Sequence, residues 1–322
     1  MTLAIEQEIG ISNHRHTTTG IEVGSLALLY SYHEATPITS PPWHTGFETD
    51  HQKSEVYQPS GFYNQLKLEL QTQPLRAFET GALICRNEIW ELWQQPDGQF
   101  IFTNPMQSQK RQVIIDPNFR GGKILGDFYA HNPCYPLPQD LEIVLFVNWL
   151  AKYHDVLLHA SGVAYAGLGY VFCAESGAGK STLAAALSNK EGVTVLGEDQ
   201  VLLRYLDGRF WIFGSPWHEN RSLCSQLGVP LKALFFLEKN GISLLEPISA
   251  LEAVTRLLQT AFIPYYRPNS VNGILERLAY LAELLPMFRL SYPIGSDVFS
   301  MILNPPSQAV NRVISGQADK EV

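Results

Sequence analysis

A glycine-rich loop between a candidate strand and a candidate helix constrains this chain more than any other part of its sequence. The apolar run 170–173 is typical of a buried strand, and residues 181–187 have the composition of a helix. Between them stands Ala174-Glu-Ser-Gly-Ala-Gly-Lys-Ser181. The two glycines of this loop allow a tight turn that directs several backbone N–H groups onto one anion. The strand, loop and helix together predict a phosphate-binding loop at a helix N-terminus.

The side chains of this loop extend the prediction from an anion to a nucleotide. Lys180 adds positive charge for the outer phosphates, and the Ser181 hydroxyl is placed to ligate Mg²⁺. Ala174 stands where the motif has its first glycine, and alanine is the smallest replacement. The residues expected to bind the nucleotide are Glu175, Ser176, Gly177, Ala178, Gly179, Lys180, Ser181 and Thr182.

Two adjacent acids, Glu198 and Asp199, follow the apolar run 193–197, and a second candidate strand follows directly. In a parallel sheet, the strand ends beside a phosphate loop form the active crevice. One acid there can organise Mg²⁺ while the other accepts a proton from a substrate hydroxyl. The alternative is a strand-to-strand turn that carries two solvated acids.

A histidine, His159, stands at the end of the apolar run 156–158, and the chain then turns back at 165–169 into the strand of the phosphate loop. A lone histidine in such a place is often a structural residue. If it lies near Glu198 or Asp199, it can orient an acid and tune its proton affinity.

Taken in order, these residues resemble the catalytic domain of HPr kinase/phosphorylase, and more closely the HPr-kinase-like proteins found with peptide-modification gene clusters. The resemblance is carried by His159, the Gly-Leu-Gly turn at 167–169, the loop that ends in Lys180-Ser181, and the pair Glu198-Asp199. It covers roughly residues 155–300. The family's Gly-Leu-Gly-Ile segment is absent, and the segment 213–219 stands in its place, which puts HPr as the substrate in doubt.

The resemblance implies an α/β fold with a P-loop domain of the HPr kinase and phosphoenolpyruvate carboxykinase type. Strand and turn signals before this domain predict a β-rich N-terminal domain. It implies that Lys180 and His159 are active-site residues and that Asp199 accepts the proton of a serine hydroxyl. The candidate catalytic residues are Asp199, His159, Lys180 and Glu198. The candidate metal ligands are Ser181, Glu198, Asp199 and Glu219.

The function that follows from this resemblance is an ATP- and Mg²⁺-dependent kinase that phosphorylates a Ser or Thr hydroxyl of a peptide or small protein. Three alternatives stay open: a non-catalytic nucleotide-binding regulatory module, a plain NTPase, and a carboxykinase-like enzyme. Asp199 separates the first alternative from a kinase, because a pure nucleotide binder tolerates asparagine at that position. Arg267 is a further candidate for a phosphate or substrate clamp, with a surface arginine as the alternative.

We expect the chain to divide into a flexible arm at 1–20, a β-rich N-terminal domain at 21–131 and, as the resemblance implies, a P-loop kinase-like domain at 139–310. The proline-rich segment 132–138 marks the boundary, and Asp140 is the expected N-cap of the next helix. In the N-terminal part, 82–86, 88–93 and 100–103 read as strands with a turn at 96–98. From residue 156 onward, strands and helices alternate, which predicts three layers; 234–237 and 242–245 read as a hairpin.

Composition bounds the location and the partners of the chain. It has 322 residues, of which 45% are hydrophobic, enough for a substantial core. The net charge of −8 disfavours general nucleic-acid binding. The four cysteines are widely spaced, which argues against a zinc or redox motif. The beginning of the sequence does not resemble a secretion signal, and the stretch 141–158 is too polar to span a bilayer. Composition therefore favours a cytoplasmic protein without membrane or nucleic-acid contact. The glycine-rich loop and the resemblance imply a nucleotide and a peptide or small protein as partners, and homo-oligomerisation is possible.

Overall fold

The structure, a computed structural model, describes residues 16–48, 64–75, 81–174, 177–218, 223–239, 241–293 and 295–306. These residues form a mixed α/β fold with two large sheets and five α-helices. Glu175, Ser176 and Glu219, three of the predicted site residues, lie outside the described ranges.

The first sheet has eight strands and contains most of the predicted β-rich region. Its strands, in chain order, are β1 (His16–Val23), β2 (Leu26–His33), β3 (Asn64–Thr72), β4 (Ala82–Arg86), β5 (Glu91–Gln94), β6 (Phe100–Thr103), β7 (Gln112–Ile115) and β8 (Gly121–Gly126). They lie in the order β1-β2-β3-β8-β7-β6-β5-β4. Only the pairs β2–β3 and β3–β8 are parallel.

The predicted strands at 82–86 and 100–103 are present, and the predicted turn at 96–98 connects β5 to β6, where Gln94 pairs with Phe100. The strand predicted at 88–93 begins only at Glu91. Its first residues form a turn instead, because the Asn87 side chain accepts hydrogen bonds from the backbone N–H groups of Ile89 and Trp90, each at 2.8 Å.

The predicted arm at 1–20 is too long at its C-terminal end. Residues 16–20 belong to β1 and pair with β2, with His16 opposite His33 and Gly20 opposite Leu29. The threonine run in this segment favours a strand, since β-branched side chains pack well on a pleated surface. Residues 1–15 lie outside the described ranges.

The first helix, α1 (Gln139–Leu150), packs its apolar side against the first sheet. The predicted N-cap is wrong by two residues, because the extended Pro138 occupies that position and Asp140 lies inside the first turn. One hydrophobic core contains residues of the first sheet, of α1, and Leu157 and Phe213 of the second sheet. The predicted division into domains near 132–138 stays a prediction.

A buried carboxylate joins the first sheet to α1 and to the segment after the second sheet's Gly214. Glu142 of α1 is fully buried. Its oxygens accept hydrogen bonds from the hydroxyl of Tyr30 and from the indole nitrogens of Trp43 and Trp217, both at 2.9 Å, and contact His44 Nε2 at 2.8 Å. Burial raises the pKa of Glu142, but the charge and hydrogen bond of His44 and the bonds of Tyr30 and Trp217 outweigh it and lower the pKa.

The second sheet has ten strands. They are β9 (Val156–Leu158), β10 (Ala160–Tyr165), β11 (Leu168–Cys173), β12 (Val193–Gly197), β13 (Val201–Leu206), β14 (Arg209–Gly214), β15 (Gly228–Leu237), β16 (Leu244–Pro247), β17 (Ala261–Phe262) and β18 (Met287–Ser291). Eight lie in the order β12-β10-β11-β15-β14-β13-β9-β17, with β18 on β15 and β16 on β18. The remaining helices are α2 (Lys180–Ser188), α3 (Ala250–Thr260), α4 (Pro268–Leu284) and α5 (Val298–Leu303).

Helices cover both faces of this sheet, as the three-layer prediction requires. Successive side chains of a strand point to opposite faces. Phe172 accordingly belongs to the same hydrophobic core as Leu183 of α2 and Ile302 of α5, whereas its neighbour Val171 belongs to the core that contains Leu257 of α3 and Leu278 of α4. The predicted alternation of strands and helices is wrong in detail, because β9–β11 and β12–β15 follow one another without a helix between most of their members.

The predicted hairpin at 234–245 is also wrong. Residues 234–237 end the long strand β15, which pairs in parallel with β18, Leu234 opposite Met287. β16 pairs with the other side of β18, Leu245 opposite Leu290. A distant strand therefore lies between the two segments that the sequence places together.

Candidate functional site

Three predicted site segments meet at one edge of the second sheet. β11 and β12 run in the same direction, since both are antiparallel to β10. The register places Ala160 opposite Cys173, and Gly162 opposite Gly197. The residue before β10, the loop after β11 and the acids after β12 therefore lie side by side, although the sheet is mixed and not parallel as expected.

The glycine-rich loop connects β11 to α2. Gly177 and Gly179 have φ angles of 74° and 103°, in the left-handed region that favours glycine. A Cβ at either position would meet nothing within 4 Å, so the backbone conformation, not a lack of space, requires glycine. The first N–H groups of a helix have no partner within the helix, and those of α2 follow this loop directly. Ser181 and Thr182 are exposed in that first turn.

Lys180 folds back across the loop and is only 5% exposed. Its Nζ donates to the carbonyl oxygen of Ala174 at 2.9 Å and lies 3.1 Å from His159 Nε2. An ammonium group only donates hydrogen bonds, so His159 Nε2 accepts and the ring proton is on Nδ1. His159 Nδ1 in turn lies 3.2 Å from Asp199 Oδ1. Lys180, His159 and Asp199 thus form a continuous row of contacts.

Electrostatics favour the neutral form of His159. Burial lowers its pKa from the ordinary value of 6.5; Asp199 opposes this effect, and Lys180 adds to it. Burial also lowers the pKa of Lys180, against the influence of Asp199 and Cys173. The backbone of His159 is fixed by a hydrogen bond from its N–H to the Thr260 carbonyl at 2.7 Å.

The two adjacent acids occupy different environments. Asp199 has a side chain that is 38% exposed and contacts His159. Glu198 is only 6% exposed, and its carbonyl oxygen accepts a hydrogen bond from the Ser161 hydroxyl, which anchors the backbone after β12. Asp199 is therefore the acid that an external substrate reaches more easily.

The predicted metal ligands are only partly brought together. Glu198 and Asp199 adjoin the loop that leads to Ser181, whereas Glu219 lies outside the described residues. Across the described ranges, no group of three or more His, Cys, Asp or Glu side chains is arranged to hold a metal ion. This arrangement fits Mg²⁺, which usually binds through one or two carboxylates together with the phosphates of a substrate.

Sequence reasoning did not single out His218, which lies against the end of β12. A Cβ at Gly197 would be 2.5 Å from His218 Cε1, so glycine is needed there for the ring to approach. Burial lowers the pKa of His218 to about 4, although Asp199 and the Ser215 backbone raise it, so the ring is neutral at neutral pH. Its position depends on the return of the chain after β14, and no local sequence signal marks it.

A cavity of about 1040 Å³ opens beside the glycine-rich loop. Ala174, Ala178 and His159 line one side of it, and Glu238 and Arg256, which form an ion pair at 2.7 Å, line another. Its volume is at the upper end of the range of small-molecule sites, large enough for a nucleotide.

The predicted clamp Arg267 belongs to another part of the molecule. It donates to the Asn148 carbonyl of α1 at 2.9 Å, and its guanidinium lies 5.0 Å from the centre of the Phe119 ring. Those contacts with α1 and the first sheet give Arg267 a structural role, which corrects the clamp hypothesis.

Comparison with known proteins adds little to this geometry. No protein-family model matches the sequence, and no curated protein matches it either. Among solved structures, the HPr(Ser) kinase/phosphatase from Coxiella burnetii is similar to 50% of this chain and 88% of its own, at 13% identity and a TM-score of 0.24. The likeness is distant, and a TM-score this low carries no argument about activity. None of the helices within the described ranges has the length and apolar character needed to cross a membrane.

Proposed function

We propose that this protein is an ATP- and Mg²⁺-dependent kinase that transfers the γ-phosphoryl group to a Ser or Thr hydroxyl of a peptide or small protein. The observation that carries the proposal is the row of contacts from Lys180 through His159 to Asp199, which lies beside the glycine-rich loop and the cavity of about 1040 Å³.

The donor nucleotide lies in this cavity with its phosphates over residues 177–182. The free N–H groups at the start of α2 and the positive end of the helix dipole favour an anion there. Glu175 and Ser176 complete the loop of this proposal. Lys180 Nζ bonds a carbonyl oxygen and a neutral imidazole. Both are weaker partners for an ammonium group than a phosphate is, so the lysine is free to turn toward the nucleotide.

Mg²⁺ would be held by the Ser181 hydroxyl and by one of the carboxylates Glu198, Asp199 and Glu219. When bound, it neutralises charge on the phosphates during transfer.

The reaction is a displacement at the γ-phosphorus. Asp199 accepts the proton of the acceptor hydroxyl, the hydroxyl oxygen bonds to phosphorus, and the bond to the β–γ bridging oxygen breaks to release ADP. His159 donates from Nδ1 to Asp199 and so holds the carboxylate in position. Lys180 stabilises the charge that develops on the departing phosphate.

Replacing Lys180 by alanine tests the nucleotide half of the proposal. We expect Lys180→Ala to lower ATP turnover by about 10²-fold or more, because it removes a positive charge from the transition state. Lys190→Ala, which removes an exposed lysine paired with Asp297 at 3.4 Å, is the matched control. Circular dichroism checks that both variants fold, and wild-type turnover in folded Lys180→Ala would refute the assignment.

Replacing Asp199 by asparagine separates a kinase from the rival functions. If the protein is a kinase, the Asp199→Asn variant no longer transfers the phosphoryl group to a peptide but still binds ATP, as measured by calorimetry. A regulatory module shows equal binding and no turnover in either form. A plain NTPase releases phosphate at the same rate with and without a peptide acceptor.

A further inference from the structure

A second cavity, of about 520 Å³, has the residue that follows Asp199 in its lining. Three parts of the chain surround it: the region of β4 and β5 in the first sheet, helix α1, and residues 262–266, which begin at the last residue of β17. The lining residue that follows Asp199 directly in the chain is Gln200. The cavity beside the glycine-rich loop includes His159, which contacts Asp199, and the second cavity includes the residue that follows Asp199.

The walls of this second cavity are largely apolar. Trp90, Ile143, Val144 and Phe262 contribute to them. Asp140 is the one charged side chain among the described residues that line it. Phosphate groups are therefore disfavoured there, which distinguishes this cavity from the nucleotide site. At its lining, Tyr265 is 64% exposed, so a large aromatic surface is available to a ligand.

Gln200, one of the residues that line this cavity, carries an unused hydrogen-bond acceptor. The residue is 9% exposed, and its buried side-chain Oε1 has no hydrogen-bond partner within the described ranges. The Gln200 carbonyl accepts from the Ser215 hydroxyl at 3.1 Å, so its backbone is held in place. A buried amide oxygen without a partner is unfavourable, and a ligand N–H would satisfy it.

The distance from this acceptor to Asp199 limits what can bind both. Neighbouring Cα atoms are about 3.8 Å apart, and an extended peptide advances about 3.3 Å per residue. One or two residues of an extended peptide span about 3–7 Å, which is of the same order as the spacing between the backbone positions of Gln200 and Asp199.

We propose that this cavity is the acceptor subsite, which binds an extended peptide through one apolar or aromatic side chain placed one or two residues from the phosphorylated Ser or Thr. The inference rests on the proposed kinase function and adds its substrate class. The backbone N–H of the peptide donates to Gln200 Oε1, and Tyr265 covers the bound side chain.

The first test is the phosphorylation of a serine-centred peptide library in which each flanking position is fixed in turn. We expect phenylalanine, tryptophan or leucine at one or two positions from serine to raise kcat/KM about tenfold or more over aspartate, since an apolar pocket discriminates by this order. Phosphorylation without an apolar preference at these positions would overturn the subsite.

The second test uses variants of the full chain. Val144→Trp fills the cavity, and Tyr265→Ala removes its aromatic cover; both should reduce the preference for the apolar residue about tenfold. Tyr129→Ala is the matched control, because Tyr129 is 57% exposed and lies outside the cavity. Circular dichroism checks the fold of all three variants. Equal preferences in Val144→Trp and wild type would contradict the assignment.

A binding measurement separates this inference from the kinase proposal. The anisotropy of a fluorescein-labelled peptide with serine followed by phenylalanine is compared with that of the same peptide with aspartate in place of phenylalanine. Tighter binding of the phenylalanine peptide, weakened by Val144→Trp, supports the subsite even if no phosphate is transferred. Equal or absent binding of the two peptides overturns the subsite, whatever the ATP turnover.

Discussion

His159 stands in the middle of the contact row, and its protonation state decides whether that row exists. Its Nε2 accepts from Lys180 only while the ring is neutral, and its pKa lies below 6.5 because burial and Lys180 outweigh Asp199. A proton on Nε2 would replace that contact with repulsion between two cations. The neutral ring is therefore present above the lowered pKa and is lost as the pH falls through it.

We expect the rate of phosphoryl transfer to fall with pH below 6.5 as His159 takes up a proton. His159→Asn should lower the rate at pH 7 by about 10²-fold and remove this acidic limb of the profile. His33→Asn, an exposed histidine of β2, is the control and should keep the wild-type profile. Identical acidic limbs in His159→Asn and wild type would exclude His159 as the titrating group.

Some residues of the candidate site carry a signal in the sequence itself, because they are close along the chain or follow the order of a known motif. Lys180, His159 and Asp199 were predicted from such signals, and the structure brings them into contact. His218 and Gln200 were not singled out, because their positions arise from strand pairing and from the path of the chain after β14. Burial, which sets the pKa of His218 to about 4, is a property of the folded chain.

At the scale of elements, the loop before α2 depends on the backbone conformation of its glycines. Gly177 and Gly167 both have a φ of 74°, and a Cβ at either position would meet nothing within 4 Å. They differ in place, since Gly167 lies in the turn between β10 and β11 and Gly177 in the loop that follows β11. The two glycines therefore form a matched pair for one substitution.

We expect Gly177→Ala and Gly167→Ala to destabilise the fold by a similar amount, about 1–2 kcal/mol, since each forces alanine into the left-handed region. Only Gly177→Ala should weaken ATP binding, because in the proposed function only the loop that contains Gly177 holds the phosphates. Thermal unfolding and calorimetric titration measure the two effects. Equal ATP affinities in both variants would show that this loop does not bind the nucleotide.

Elements with a strong local signal were predicted accurately, and their partners were not. The strand at 82–86 has the predicted bounds, and the helix predicted at 181–187 spans Lys180–Ser188. The partner of β16 was wrong because β18, about forty residues later in the chain, pairs with both β15 and β16. Local composition indicates that a strand forms, whereas its neighbour depends on how the whole core packs.

At the scale of the molecule, Glu142 connects the first sheet to the segment that carries His218. Four donors, from Tyr30, Trp43, His44 and Trp217, converge on its buried carboxylate. Removing the carboxylate leaves these groups buried without their acceptor, which is costly in a low-dielectric interior.

We expect Glu142→Ala to lower the free energy of unfolding by about 3–5 kcal/mol, as is typical when one partner of a buried charged network is removed. Glu276→Ala, at an exposed position of α4, should change it by less than about 0.5 kcal/mol. Urea denaturation measures both. A Glu142→Ala midpoint equal to that of Glu276→Ala would show that the network does not stabilise the fold.

The same network predicts a pH dependence of stability. The folded-state pKa of Glu142 is lowered from 4.5, so its contribution is complete above pH 4.5 and is lost as the pH falls through the lower folded value. Wild type should therefore lose stability in this acidic range, and Glu142→Gln should lose less.

The turn between β10 and β11, around Gly167, is a suitable position for attaching this protein to a surface. β10 and β11 each span six residues, so this turn lies about 20 Å along the strands from the end that carries His159 and Ala174. A surface tether attached there would immobilise the chain with the end that carries His159 and Ala174 facing outward. The two ends of β10 and β11 thus separate a point of attachment from the candidate active site.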